Sequence, residues 1–334
     1  MSKNELKNII VIGTSAGGIN AVSKLVAGFD HDFDAAVFVV IHISRNSLTE
    51  VILNQLQKQT VLKCVIPKDG EKIRNKVIYL APADHHMMID KTKILVRKGA
   101  YDNHWRPSID VLFRSAAASY DSCVTGIILT GLLDDGTSGM SAIKRSGGRC
   151  MVQDPQEADF PDMPKSVLNS MEVDYKVSIN EMGYILSDLF SRSQCEVGHV
   201  PADVKLEAEI TMRMSSSVKD LEKLGPLTPF TCPDCGGVLA RVENDQIARY
   251  RCYTGHTYTE KALESEKIKR IEESLWVAIR MMEERKNLLE SMGSYNSQSK
   301  NERVGQMQVH IERLKSMMMD FNENLTRQEQ DDLS

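Results

Sequence analysis

The chain has no apolar run approaching the roughly 20 residues that span a bilayer. It also has no secretory leader pattern, because the N-terminus Met1-Ser2-Lys3-Asn4-Glu5-Leu6-Lys7-Asn8 is polar and carries an acid. It lacks an excess of positive charge: Lys and Arg number 41 against 46 Asp and Glu, a net charge of -5. That balance excludes a broad footprint for nucleic acid or an anionic membrane surface. A full disulfide framework is missing too. The seven cysteines are odd in number, and Cys64, Cys123, Cys150 and Cys195 are scattered, so these four read as small buried side chains or inert thiols. The absences together predict a cytoplasmic protein that neither enters the membrane nor binds nucleic acid. What remains is ordinary for a globular chain, 26% charged and 42% hydrophobic over 334 residues, long enough for two domains.

The first feature present is the segment Val11-Ile12-Gly13-Thr14-Ser15-Ala16-Gly17-Gly18. An apolar run leads in and a helix-like pattern, Ile19 to Val26, leads out, which reads as strand, tight turn, helix. Glycines on both sides of the turn can let backbone N–H groups approach a phosphate or expose a serine hydroxyl on a sharp turn. A dinucleotide site needs glycine where Ser15 stands and an acid at the end of the second strand, roughly 20 residues on. The chain has His42 there.

From Asn8 to about Leu189, apolar runs such as Phe38–Ile41, Val61–Val65, Val77–Leu80, Val124–Thr130 and Cys150–Val152 alternate with helical patterns. Those patterns cover Ser47–Gln57 (apolar at Leu48, Val51, Ile52 and Leu56), a helix opened by Pro107, Ser138–Arg145, Met163–Asn169 and Glu181–Leu189. Met87–Asp90 and Ile94–Val96 read as an antiparallel hairpin. The fold class is α/β, a mostly parallel sheet with helices on both faces in a Rossmann-like three-layer arrangement. Ligands in such sheets bind beyond the carboxyl ends of the strands. Ser15 follows the first strand, His42 the second, and Asp134-Asp135-Gly136 the Val124–Leu129 strand. A serine, a histidine and an aspartate at three strand ends form the set that activates a hydroxyl nucleophile. Their order differs from the Ser, acid, His order of ordinary α/β-hydrolases.

The segments Ile12–Gly18, Val40–His42, Tyr79–Met87, Arg106–Phe113 and Ile128–Met140 resemble the catalytic domain of CheB, the chemotaxis protein-glutamate methylesterase. The resemblance implies Ser15 as nucleophile, His42 as base and Asp135 as its orienting acid, with Asp134 the second candidate. It implies hydrolysis of glutamate γ-methyl esters on chemoreceptors, with methanol released and glutamine deamidation a further reaction in some members. Methyl-accepting receptors are the implied partners, with the chemotaxis methyltransferase or kinase components beside them. The backbone N–H groups of Ala16 and Leu132 are the expected oxyanion donors, and catalysis needs no cofactor. The best-known layout of the family carries a receiver domain before the catalytic one; here the motif begins at Val11, so control by phosphorylation on this chain is not expected. Two other readings are a receptor-array scaffold with a vestigial triad and a general carboxylesterase.

Beyond residue 190 the pattern weakens, and 191–229 reads as a linker. Cys232-Pro-Asp-Cys235 and Cys252-Tyr-Thr-Gly-His256 flank a predicted hairpin with its turn at Glu243-Asn244-Asp245. Three thiolates and one imidazole satisfy tetrahedral zinc with no open position, so 230–260 is expected to be a zinc-ribbon-like module holding structural zinc. The stretch 261–330 reads as a helical hairpin or coiled-coil tail. Its predicted apolar faces are Ile268, Ile271, Leu275, Ala278, Met282 and Leu289, then Val304, Met307, Ile311, Leu314, Met318, Phe321 and Leu325, with a break from Gly293 to Ser299.

Overall fold

The structure, a computed structural model, describes residues 8–192, 198–214, 216–292 and 297–331. Its contacts divide the chain into two units, Met1–Ala262 and Leu263–Ser334. The first unit begins with β1 (Ile9–Thr14), α1 (Gly18–Ala27), β2 (Ala36–Ile41), α2 (Thr49–Gln57), β3 (Lys63–Val65), β4 (Glu71–Lys72), β5 (Val77–Leu80), β6 (His86–Asp90) and β7 (Lys93–Arg97). It continues through α3 (Ile109–Tyr120), β8 (Val124–Ile128), α4 (Thr137–Arg145), β9 (Arg149–Gln153), α5 (Asp162–Ser170), β10 (Tyr175–Val177) and α6 (Ile179–Arg192).

Seven strands form one sheet in the order β10-β9-β8-β1-β2-β5-β3, and every neighbouring pair is parallel. The continuous apolar sequences of β1 and β2 fit strands covered on both faces. Val11, Phe38 and Val40 enter one core with Leu112, Phe113 and Met140, while Ile10, Val37 and Val39 enter the other with Val22, Leu25 and Leu186. The chain passes from β1 toward β2 on one side, and β8 returns on the other. The carboxyl ends of β1 and β8 therefore lie at the switch in direction where such sheets bind ligands. The expected hairpin is β6 and β7, extended by β4 into a separate antiparallel sheet.

Several sequence expectations need correction. Pro107 precedes the helix rather than opening it: α3 starts at Ile109, with Ser108 as N-cap accepting from the Val111 amide at 3.3 Å. On α2 only Ile52 and Leu56 of the predicted apolar positions are buried, and Leu48 and Val51 face solvent. The stretch read as a linker holds α7 (Ala202–Arg213) and α8 (Val218–Leu224). The α7 helix buries Val204, Ala208 and Ile210 but also Glu207, and a charged residue on the inner face defeats a search for apolar periodicity. Cys123 is disulfide-bonded, whereas Cys64 and Cys150 are free and buried; Cys195 lies outside the described residues.

The first unit ends in an antiparallel sheet of β11 (Leu227–Thr231), β12 (Val238–Val242), β13 (Arg249–Cys252) and β14 (Thr257–Thr259). Two long helices follow, α9 (Glu260–Ser291) and α10 (Ser297–Asp331). In the second unit Ile279, Ile311 and Met318 are buried together, packed by Leu275, Met282, Met307 and Leu314, with Lys315 paired to Glu283 at 2.7 Å. Ile279 lies in the seam between the two helices, whereas Ile271, one of the predicted apolar positions, is exposed. The side chains of Phe321 and Leu325, and the start of the predicted break at Gly293, lie outside the described residues. No helix among the described residues is long and apolar enough to cross a membrane.

Candidate active site

The Ser15 turn is stitched to the end of β8. The Thr14 hydroxyl and the Ser15 amide both donate to the Thr130 carbonyl, at 2.6 and 3.1 Å. The Thr130 hydroxyl donates to the Ala16 carbonyl at 3.1 Å. Gly17 adopts a left-handed conformation, φ 74°, and caps the N-terminus of α1, a position where a side chain would be strained. Gly131 lies so close that a Cβ there would meet Met163 Sδ at 2.0 Å and Ser15 Cβ at 2.9 Å. The Ser15 and Gly131 amides are spent on Thr130 and Phe160 carbonyls. Among the described residues, the Ala16 and Leu132 amides donate to no protein acceptor, and neither does Gly17, a third donor the sequence reading did not name.

The register of β1 and β2 pairs Thr14 with Ile41. Ser15 and His42 therefore leave adjacent strands side by side, and the His42 amide closes the ladder on the Thr14 carbonyl at 3.0 Å. The His42 ring is fully buried, and its Nε2 meets Asp135 Oδ2 at 2.8 Å. The other ring nitrogen, Nδ1, is buried and has no hydrogen-bond partner among the described residues. Trp105 lies flat on the imidazole, with centroids 3.8 Å apart and planes 9° from parallel.

Asp135 is held by the start of α3. Its Oδ2 also accepts from the Ile109 amide at 2.8 Å, and its Oδ1 accepts from Ser108 Oγ at 3.1 Å and the Asp110 amide at 3.2 Å. Backbone N–H groups can only donate, and a helix N-terminus favours negative charge. Asp135 is therefore read as the carboxylate, which fixes His42 with its proton on Nε2 and a bare lone pair on Nδ1. Asp110 reciprocates by accepting from the Gly136 and Gly139 amides at the start of α4, at 3.0 and 2.6 Å. Asp134, the second candidate, is not in this cluster; it accepts from Asn103 Nδ2 at 2.9 Å. Sequence reasoning missed Trp105, Ser108 and Asp110 as site residues, although the N-cap serine and the acid in the first turn were available as local signals.

Burial pushes the His42 imidazole down to about 3, so its neutral form is the resting one. Burial, with Asp102 adding to it, pushes Asp135 up against the pull of the Ile109 and Asp110 amides. A second buried histidine supports the site. His86 Nε2 donates to the Ala100 carbonyl at 2.8 Å, and its Nδ1 accepts from the Ser108 amide at 3.3 Å. Burial lowers His86 from 6.5 to about 4, opposed by the Ala100 carbonyl. As pH falls, the unfolded chain takes up this proton before the folded one does, so the contribution of His86 is lost below the ordinary value. The stability advantage of the wild type over His86→Gln is expected to shrink by about 2 kcal/mol between pH 7 and pH 5. Urea denaturation of both proteins at the two pH values measures it, and a pH-independent difference would show that His86 titrates normally.

Two clusters could attract a metal. The ligand atoms of Cys232, Cys235, Cys252 and His256 lie within 4.8 Å of one another, as do carboxylate oxygens of Asp102, Asp110 and Asp135. The second set is already committed to Arg114, backbone amides, Ser108 and His42. The first set brings together all four residues that the sequence spacing selected.

The family model described as CheB methylesterase matches residues 10–186. A putative protein-glutamate methylesterase/protein-glutamine glutaminase of Leptospira interrogans (strain Fiocruz L1-130) is 37% identical over 184 residues, covering 55% of this chain and 93% of that protein. The protein-glutamate methylesterase/protein-glutamine glutaminase 2 of Methanosarcina mazei is 29% identical over 188 residues, 54% of this chain and 51% of that protein. Among solved structures, the crystal structure of the Thermotoga maritima CheB methylesterase catalytic domain matches with a TM-score of 0.53 and 28% identity, covering 55% of this chain and all of that one.

Proposed function

The chain belongs to the CheB methylesterase family, and from that premise we propose that it hydrolyses glutamate γ-methyl esters on chemoreceptors through Ser15, His42 and Asp135. The observation that carries the mechanism is the His42 ring. One nitrogen is held by Asp135, the other is buried and unpartnered among the described residues, and His42 follows the strand paired with the one that delivers Ser15. That nitrogen takes the Ser15 proton as Oγ attacks the ester carbonyl. The carbonyl oxygen, now negative, is received by the unspent amides of Ala16 and Leu132; such a donor is typically worth about 3–4 kcal/mol of barrier. His42 returns its proton to the departing methoxide, methanol leaves, and a water activated by His42 releases the glutamate side chain and restores Ser15. A primary amide passes through the same acyl-enzyme with ammonia leaving, and the names of the relatives pair esterase with glutaminase. A substrate on receptor cytoplasmic helices supports a cytoplasmic location for the enzyme.

The test is incubation of the full chain with methylated and with amidated receptor cytoplasmic fragments, following methanol and ammonia. Release of methanol from the receptor, well above the rate on small soluble esters, is the expected result. Equal rates on small esters would point to a general carboxylesterase, and receptor binding without turnover to a scaffold.

A further inference from the structure

The family match ends at residue 186, yet the chain beyond it reaches back to the site. The four-ligand cluster has the dimensions of a metal centre. Cys235 Sγ lies 3.7 Å from Cys252 Sγ, and His256 Nδ1 lies 3.7 Å from Cys232 Sγ and 3.5 Å from Cys252 Sγ. Tetrahedral zinc with bonds of about 2.3 Å to sulfur and about 2.0 Å to nitrogen sets its ligand atoms roughly 3.5–3.8 Å apart. Both ligand turns are closed by backbone bonds, Gly236 to the Cys232 carbonyl at 2.9 Å and Gly255 to the Cys252 carbonyl at 3.0 Å. The sulfurs also receive donors: the His256 amide reaches Cys252 Sγ at 3.2 Å and the Thr254 hydroxyl reaches Cys235 Sγ at 3.4 Å, as suits thiolates.

The residue after His256 grips the loop over the active site. The Asn103 amide donates to the Thr257 carbonyl at 2.8 Å, and the Thr257 amide reaches the Tyr101 carbonyl at 3.4 Å. Asp102 and Trp105 pair across a tight turn whose two central residues, Asn103 and His104, have φ 49° and 69°. His104 packs edge-on against Tyr258 on β14, with centroids 5.8 Å apart. At its far side the turn ends in Trp105, stacked on His42.

We propose that Cys232, Cys235, Cys252 and His256 bind one zinc ion, and that this metal, by fixing the start of β14, holds the 101–105 turn so that Trp105 stays on the face of His42. Trp105 is then a positioning residue: it fixes the ring plane between Asp135 and Ser15 and keeps water off it. Zinc takes no part in the reaction, but the folded position of the base depends on it. The consequence for turnover rests on reading His42 as the base of a methylesterase; the metal site and its grip on Trp105 do not.

The chain has two tryptophans, and Trp276 is exposed on α9, so full-length Trp276→Phe protein reports on Trp105 alone. The protein as purified is expected to hold about one zinc per chain by elemental analysis, and cobalt substitution to give thiolate charge-transfer bands. Chelation should shift Trp105 emission to the red and lower kcat at least tenfold, and added zinc should reverse both. No bound zinc together with no cobalt spectrum overturns the site. Zinc removal that leaves Trp105 emission unchanged overturns the link. If chelation unfolds the whole chain, zinc-loaded Trp105→Ala decides: a tenfold or larger loss of kcat with KM little changed, rescued by Trp105→Phe, supports the link, and an unchanged kcat overturns it. Should the protein hydrolyse no receptor ester at all, metal content and Trp105 emission still decide the inference, so its failure is distinct from that of the activity reading.

Discussion

Replacing Ser15 with alanine is expected to lower methanol release from methylated receptor by at least about 10⁴-fold, the scale seen when a triad nucleophile is removed, while leaving the melting temperature essentially unchanged. Ser15 contributes its backbone, not its hydroxyl, to the turn: the amide bonds to Thr130, and the Gly131 contact involves its Cβ, which alanine keeps. The loss is therefore chemical and not structural. Asp135→Asn makes the contrasting case. Its amide group would turn a donor toward the Ile109 or Asp110 N–H, or toward His42, so activity and stability should fall together. Initial-rate assays beside calorimetry separate the two variants. Near-normal turnover by Ser15→Ala would end the serine mechanism.

The second large effect is on stability. Glu207 on α7 is buried and meets three buried arginines: Arg249 at 2.7 Å, Arg114 at 3.4 Å and Arg251 at 3.6 Å. Burial pushes its carboxyl up, but the Arg249 and Arg114 guanidiniums outweigh it and hold Glu207 far below the usual carboxylate range. Arg114 in turn bonds Asp102 and Asp110, so this one carboxylate ties the β11–β14 sheet, α7 and the acids behind His42 together. Removing one partner of a buried charge set strands the others without solvent, at about 3–5 kcal/mol. Glu207→Gln is expected to destabilise the first unit by that amount, lowering its melting temperature by roughly 10 °C. Loss of less than about 1 kcal/mol would mean that water reaches the arginines.

The parallel core was legible because strands buried on both faces must be apolar without interruption, as Ile9–Ile12 and Ala36–Ile41 are. Ser15, His42 and Asp135 stood out for a related reason: in such sheets functional side chains follow strand ends, and only a few polar residues occupy those places. The cluster of Cys232, Cys235, Cys252 and His256 was legible because its spacing is local. The elements read wrongly share a different cause. Glu207 sits on an inner helix face because three distant arginines neutralise it, and no periodicity search can know that. Leu48 and Val51 have helical spacing but no neighbour to cover them. Trp105 carries no motif; what gives it a role is the contact with His42, 63 positions away in the chain.

The sequence by itself determined the α/β layering, the strand ends that carry Ser15, His42 and Asp135, and the four-residue cysteine and histidine motif, because each depends on residue types at short range. Only the tertiary structure decided which His42 nitrogen is free, which amides remain unspent around Ser15, and that the chain beyond residue 186 folds back onto the loop that carries Trp105 onto His42. Those depend on hydrogen bonds and buried ion pairs between distant segments, where a partner's position, not a residue's own type, sets its chemistry.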